Sequence, residues 1–426
     1  MLKPTARSAS TEERVVPKSV LLISYCFPPM PGAGALRPGR LARLLPAFGW
    51  IPTTLTGPWH GAASDFGEVV PITRLGDPFA ARVRGLWRVV PNSARWFPKA
   101  LGSALAIAAG RHFDAVVSVC SPAHSHVIAA IVARRRGIPW LADYSDAWNG
   151  NMFAPKSALT SRLNRQIEVR CAREAAAITC ATTGIQGLLT KLHRRPGVEV
   201  IENAVDHAEW ASIPNLSPKT FTILYAGNLY GGLLNPELLF GSVRKLRGIG
   251  HPAGAAVRFE FYGNDHQVVL KAARRLQLED AVIVHPVTMR ERVLHAERQA
   301  AALLMLFPMN PISVVPSKLY EYFGARRPIL AIGPDQSRAR LGDVIEGNRL
   351  GHFATTEDEC AAAICSLYER FTSGRYQTNP LSTWSPPTAL TTTKQFATVL
   401  DRIAPSKRSS IGTTAPVIEA SASALS

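Results

Sequence analysis

Short apolar runs recur along most of this chain, each separated from the next by a helix-length stretch. In those stretches apolar residues return every three to four positions. A run that is apolar on both faces and too short for a helix reads as a strand buried between two layers. Strands of that kind joined by helices form parallel α/β sheets. In the first half the runs are Val20–Tyr25, Ala115–Cys120, Pro139–Ala142, Ala177–Ala181 and Val198–Glu202. Helical patterns fall at Leu36–Phe48, with Leu41, Leu44, Leu45 and Phe48 on one face, and at Val127–Arg136. The second half repeats the rhythm with Phe221–Ala226, Phe259–Tyr262, Val282–Val284, Ala302–Phe307 and Ile329–Ile332. There Asn235-Pro236-Glu237 opens a helix with a capping residue, a proline in the first turn and an acidic residue next.

At 426 residues the chain exceeds the usual domain size of about 100–200 residues. Two α/β units are expected, at 19–205 and 220–382, joined by a linker at 206–219 that holds two prolines. A last helix within 383–403, with Phe396, Leu400 and Ile403 at helical spacing, follows the second unit. The polar stretch 1–18 reads as a disordered arm, and the Ser/Ala/Thr-rich stretch 404–426 as a disordered tail.

Composition narrows the function. With 46% hydrophobic and 19% charged residues, the body can bury real cores. No apolar run reaches the roughly 18 residues of a membrane-spanning helix. The N-terminus lacks the apolar core of a signal peptide, so a cytoplasmic chain is expected. The six cysteines show no CxxC spacing, which argues against a zinc site or a disulfide framework. The net charge of +17 favours anionic partners. No helix-turn-helix, zinc finger or RNA-binding sheet motif is present, so lipid surfaces and phosphorylated substrates rank above nucleic acid.

Three stretches carry candidate chemistry. The turn Phe27–Arg37 joins a buried strand to an amphipathic helix, and its Gly32 and Gly34 allow a ligand close to the backbone. Arg37 stands where a dinucleotide fingerprint would need its third glycine. Next, Asp143 and Asp146 follow a strand, with Trp148 beside them, at the sheet edge where ligands of such folds bind. Either acid could orient or deprotonate a hydroxyl. The third stretch is Pro316–Pro328. Ser317 suits a helix N-cap, and Lys318 stands in the first turn, where the helix dipole disfavours a cation unless a diphosphate sits there. Glu321, one turn further on, can accept two hydroxyl hydrogen bonds from a ribose.

Together with Ile201–Asp206, these stretches make the chain resemble a retaining glycosyltransferase of the GT-B fold, in the large family 4 group that builds bacterial surface polysaccharides. The resemblance spans about residues 20–370. It implies two Rossmann-like domains facing across a cleft, the final helix crossing back to the first domain, a nucleotide-sugar donor on the second domain and an acceptor on the first. It also implies no metal and no other cofactor. By the same resemblance, Glu321 contacts the nucleotide ribose, while Gly32, Gly34, Ser317 and Lys318 face donor phosphate. The chain departs from the family pattern at three places. Ser313 replaces the first of two glutamates. Gly227–Gly232, which contains Asn228, lacks the usual arginine and lysine, leaving Lys318 and Arg290 to neutralise phosphate. Ala204 replaces a glycine. A sugar-nucleotide epimerase on the same fold and a non-catalytic binding partner remain as alternatives.

Other signals are weaker. His124 and His126 follow Ser121-Pro122 at a strand end and read as a solvated loop pair that could touch the acceptor. Arg134-Arg135-Arg136 reads as a helix end, complementing the dipole. Glu260–Asn264 and His285–Val287 end strands of the second unit and could frame the base. Residues 79–111 interleave Arg82, Arg84, Arg88, Arg95, Lys99 and Arg111 with Phe79, Trp87, Trp96 and Phe97 and hold no acid. That pattern suits the anionic inner face of a membrane and a lipid-linked acceptor. The oligomeric state is not legible.

Overall fold

The computed structural model describes residues 17–58, 66–72, 92–149, 151, 158–194, 197–308, 315–378 and 385–404. Two parallel sheets organise them. The first contains β1 (Lys18–Ser24), β2 (Trp50–Thr56), β3 (Glu68–Pro71), β4 (Ala115–Cys120), β5 (Trp140–Tyr144), β6 (Ala177–Cys180) and β7 (Val198–Val200), in the order β3-β2-β1-β4-β5-β6-β7. The second contains β8 (Thr222–Ala226), β9 (Arg258–Tyr262), β10 (Val282–His285), β11 (Ala302–Leu306), β12 (Ile329–Ile332) and β13 (Gly351–Ala354), in the order β10-β9-β8-β11-β12-β13. In each sheet the chain runs outward from a central strand and then resumes on its other side. That reversal, between β1 and β4 and between β8 and β11, opens a crevice at the carboxyl ends of the strands. Apolar clusters cover both faces of each sheet.

The apolar runs mark the central strands because those strands are buried on both faces. Three strands were not legible. β2 carries Pro52 and three threonines, β3 is only partly buried, and β13 reads Gly-His-Phe-Ala. Such strands are held by register with a neighbour rather than by their own hydrophobicity. At the other end, Lys18 belongs to β1 instead of the arm: it pairs with Trp50, and its Nζ lies 2.7 Å from Asp401 Oδ1.

The last helix, Ala389–Ile403, packs on the first domain. Phe396, Ala397, Val399 and Leu400 join the cluster formed by Val20, Leu22, Leu41 and Leu141. The peptide between the domains is partly helical, at His207–Ala211, where Asp206 Oδ1 accepts a hydrogen bond from the Glu209 N–H. Its Trp210 is buried among second-domain residues, including Leu319 and Tyr322.

The basic–aromatic segment is described only in part. Residues 79–91 lie outside the described residues, and the rest forms the helix Asn92–Gly110. Trp96 is fully buried and donates from Nε1 to the Thr56 carbonyl at 3.0 Å. Trp96 therefore anchors the helix to the sheet. Arg111 is paired with Glu68 of β3, which the sequence spacing could not reveal.

Candidate active site in the cleft

On the first-domain side, the turn after β1 leads to Gly32, whose φ of 106° is open to glycine and strained for other residues. Gly34 lies over Cys26, whose Sγ would be 3.5 Å from any Cβ placed there. Asp146 follows β5, its N–H bonded to the Cys120 carbonyl at 3.2 Å. Its side chain still reaches solvent, yet the cleft walls crowd it, and that desolvation pushes its carboxyl pKa up. Burial, with Asp146 adding, pushes the Cys26 thiol up to about 12. Burial and then Asp146 also raise Tyr230, which comes from the second domain. Asp146, Cys26 and Tyr230 therefore share the space between the domains.

Asp143 does not join them. β5 extends to Tyr144, so Asp143 sits inside a fully buried strand. Arg37 Nε and Nη2 donate to its two oxygens at 2.7 and 2.8 Å, and Thr179 Oγ1 donates at 2.8 Å. A buried carboxylate needs such a partner. Here the pairing takes up both residues, which corrects the reading of Asp143 as a hydroxyl base and of Arg37 as an acceptor contact. Arg37 also donates to the Glu202 carbonyl and lies 4.8 Å from the Phe396 ring centroid. Trp148, expected to face an acceptor, is buried in the first-domain core.

The histidine pair is helical, in His124–Arg136, and not in a loop. His124 is half-buried against Phe97. His126 is fully buried, its Nδ1 2.7 Å from Ser118 Oγ. Trp140 Nε1 donates to that same oxygen at 2.8 Å, so Ser118 Oγ bridges Trp140 and His126. Burial, helped by His193, lowers the His126 pKa to about 3. A depressed histidine pKa stabilises the fold above the unfolded value of 6.5, and that contribution drains away as pH falls toward 3. Wild-type stability is thus expected to drop between those limits by up to about 5 kcal/mol. His126→Gln should flatten the slope in chemical unfolding curves taken at several pH values; an unchanged slope would assign the acid sensitivity elsewhere.

On the second-domain side, the helix Ser317–Ala325 follows β11 and runs into β12. Its N-cap is Pro316, so Ser317 is the first helical residue rather than the cap, and no side chain caps this end. The free N–H groups make that terminus attractive to an anion. Lys318 is half-buried beside it, with Nζ 5.1 Å from the Tyr225 ring centroid. That approach requires Gly227, since a Cβ there would collide with Nζ. Burial outweighs the pull of Glu321 and Glu297, and the Lys318 pKa is lowered.

Arg290 is more engaged than its sequence suggested. It pairs through two nitrogens with Glu209, and Nη1 lies 3.3 Å from Glu321 Oε2. Burial opposes the charge on Glu321, but Arg290 first, then Glu297 and Lys318, overcome it, and its carboxyl is held below the usual range. Glu297, fully buried on the helix Arg290–Gln299, is pushed well above that range by burial and then by Glu321. Of the two glutamates, Glu321 carries the charge and Glu297 the proton. Sequence reasoning missed Glu297 and Glu209. Glu297 had a signal: it falls three residues after Leu294 on the buried face. Glu209 had none, because only the docked linker aims it at Arg290.

Asn228 is exposed at the end of β8, and its carbonyl accepts from Tyr225 Oη at 2.9 Å. Asp265 Oδ2 accepts from the Leu229 N–H at 2.7 Å and fixes that corner. Next to it, His285 stacks on Tyr262 at 4.2 Å between centroids, and its Nε2 lies 3.2 Å from Glu260 Oε2. These three end β9 and β10 at the carboxyl edge of the sheet. Ser313 lies outside the described residues. Among the described residues no three of His, Cys, Asp and Glu converge as a metal site, and no helix is long and apolar enough to cross a membrane.

The two halves of the cleft are stitched by charge. Arg43 pairs with Asp206, and Arg40 Nε lies 3.6 Å from the same carboxylate. Arg40 also feels Glu209, Arg290 and Glu321. An ionic chain thus runs from the first helix to the second-domain site.

Comparison with known proteins agrees with this architecture. Residues 32–204 match the family described as "Glycosyl transferase 4-like domain". Similar solved structures include sucrose-phosphate synthase from Thermosynechococcus elongatus, at 12% identity and a TM-score of 0.59, covering 91% of this chain and 95% of that one. HepE of Anabaena, solved in complex with UDP-glucose, shows 14% identity and a TM-score of 0.56 over 91% and 95% of the two chains. A Listeria monocytogenes protein described as a UDP-N-acetylglucosamine 2-epimerase gives 12% identity and a TM-score of 0.56 over 90% and 96%. No curated protein matches the sequence. The chain therefore has the GT-B fold of two facing Rossmann-like domains, and residues 32–204 of the first domain are similar to a glycosyl transferase 4-like domain.

Proposed function

We propose that this protein is a glycosyltransferase that moves a sugar from a nucleotide-sugar donor to a hydroxyl acceptor in the synthesis of a cell-surface glycan. The observation that carries the donor half is the uncapped terminus of the helix Ser317–Ala325, with a half-buried, charge-depressed Lys318 beside it and ionised Glu321 one turn on. A buried cation at a helix N-terminus is disfavoured twice, by desolvation and by the dipole, and a bound diphosphate relieves both. Glu321, oriented by Arg290, offers two acceptors for the hydroxyls of a ribose. Tyr262, His285 and Glu260 line the neighbouring strand ends, where a base would stack. Lys318 and the free N–H groups then lie where charge develops on the leaving diphosphate. Gly32 and Gly34 bring first-domain backbone to the opposite wall, and Asp146, with its raised pKa, faces the acceptor side as a candidate proton acceptor.

An epimerase with this fold would need the same donor site, so donor binding alone does not separate the two readings. The match of the first domain to a transferase family favours transfer. Product analysis without acceptor decides: an epimerase converts free nucleotide sugar, and a transferase leaves it intact.

The donor site is tested by thermal shift with UDP, GDP and ADP. A nucleotide at a hundred times its dissociation constant should stabilise the protein by about 2.7 kcal/mol. Wild type is expected to shift with one of them and Lys318→Ala to lose that shift. No shift with any nucleotide would remove the donor site.

A further inference from the structure

Away from the cleft, the helix Ala158–Ala172 on the first domain turns the wrong face outward. Leu159 is 80% exposed, Leu163 57% and Ile167 38%. At four-residue spacing they form one stripe. The opposite side of the helix carries Glu168 and Ala172, which are buried, so the apolar stripe is not the packing face. The exposed residues around it are Arg162, Arg165, Gln166, Arg170 and Arg173, with Glu174 as the lone exposed acid at the helix end. At about 100° per residue Arg170 falls within the stripe and Arg162 and Arg173 flank one side of it. Apolar side chains beside guanidinium groups are a poor surface for water alone and a good one for the boundary between lipid headgroups and acyl chains.

We infer that the helix Ala158–Ala172 is a docking surface for an anionic lipid bilayer, inserting Leu159, Leu163 and Ile167 while its arginines lie against the headgroups. The occupant follows from charge: four arginines on and just after one helix, in a chain of net charge +17, complement a negative surface. A second copy of this chain would bring the same arginines against each other. The inference uses no part of the donor reading. It also places the lipid contact on a different element from the basic–aromatic segment, whose Trp96 is inside the core.

The test is co-sedimentation of the full chain with vesicles, of phosphatidylcholine alone or mixed with phosphatidylglycerol. Binding to the mixed vesicles only, weakened by salt, is expected. The double variant Leu159→Asp, Leu163→Asp should lower the partition constant at least about tenfold. Arg162→Ala and Arg170→Ala should each lower it by roughly fivefold. Because these side chains are exposed, the variants should keep the wild-type circular dichroism and the wild-type thermal shift with nucleotide. Failure to bind mixed vesicles, or binding that survives the leucine substitutions, would overturn the inference. So would light scattering that finds a wild-type dimer converted to monomer by those substitutions while no vesicle binds, since the stripe would then join two copies.

Discussion

Arg37→Ala is expected to destabilise the first domain by about 3–5 kcal/mol, the range for removing one partner of a buried ion pair. The loss is large because of what stays behind. Asp143 is fully buried in β5, and without the guanidinium it keeps, among the described residues, only the Thr179 hydroxyl as a donor. Arg37 also holds the Glu202 carbonyl and stacks on Phe396, so the end of the first domain and the crossing helix loosen with it. Replacing the pair together, Arg37→Met with Asp143→Leu, should recover most of that stability, because no charge is stranded. Urea unfolding of the three proteins, read with the midpoint at constant slope, checks both statements. If Arg37→Ala unfolds like wild type while sugar transfer collapses, the pair belongs to the reaction and the structural account is wrong.

The second large effect falls on the donor side. Lys318→Ala is expected to lower kcat/KM for a nucleotide-sugar donor by about a hundred- to a thousandfold, the usual cost of deleting one group that stabilises developing charge. Glu321→Gln should act differently. It keeps the shape but removes the negative charge that Arg290 and Lys318 surround, so two cations are left facing a neutral group. Donor KM should rise, with a smaller loss in kcat, because ribose contacts serve ground and transition states alike. A Lys318→Ala enzyme with unchanged kcat/KM would show that the diphosphate is neutralised elsewhere.

How much of this was legible depends on where each residue gets its energy. β1, β4, β6, β8, β11 and β12 announce themselves, because a strand buried on both faces must be apolar throughout. β2, β3 and β13 do not: β2 lies inside the sheet but carries Pro52 and threonines, while β3 and β13 are edge strands held by a single neighbour. The helix that carries Lys318 and Glu321 was legible because its end chemistry is local. Asp143 was misread by one detail, the end of β5: two more residues of strand turned an edge carboxylate into a core one. Likewise, His126 and Trp148 look like site residues in the sequence and are packing residues in the fold.

The sequence by itself determined the two parallel α/β units, the glycine turn after the first strand and the lysine–glutamate helix of the second unit. Local patterns suffice there, because burial periodicity and helix-end chemistry are set within a few residues. Only the tertiary structure decided which charges are free to meet a ligand. Arg37 faces Asp143 across 106 positions, and Arg290 faces Glu209 across 81. Pairing energy depends on distance in space and on exclusion of water, and neither is written in the order of the residues.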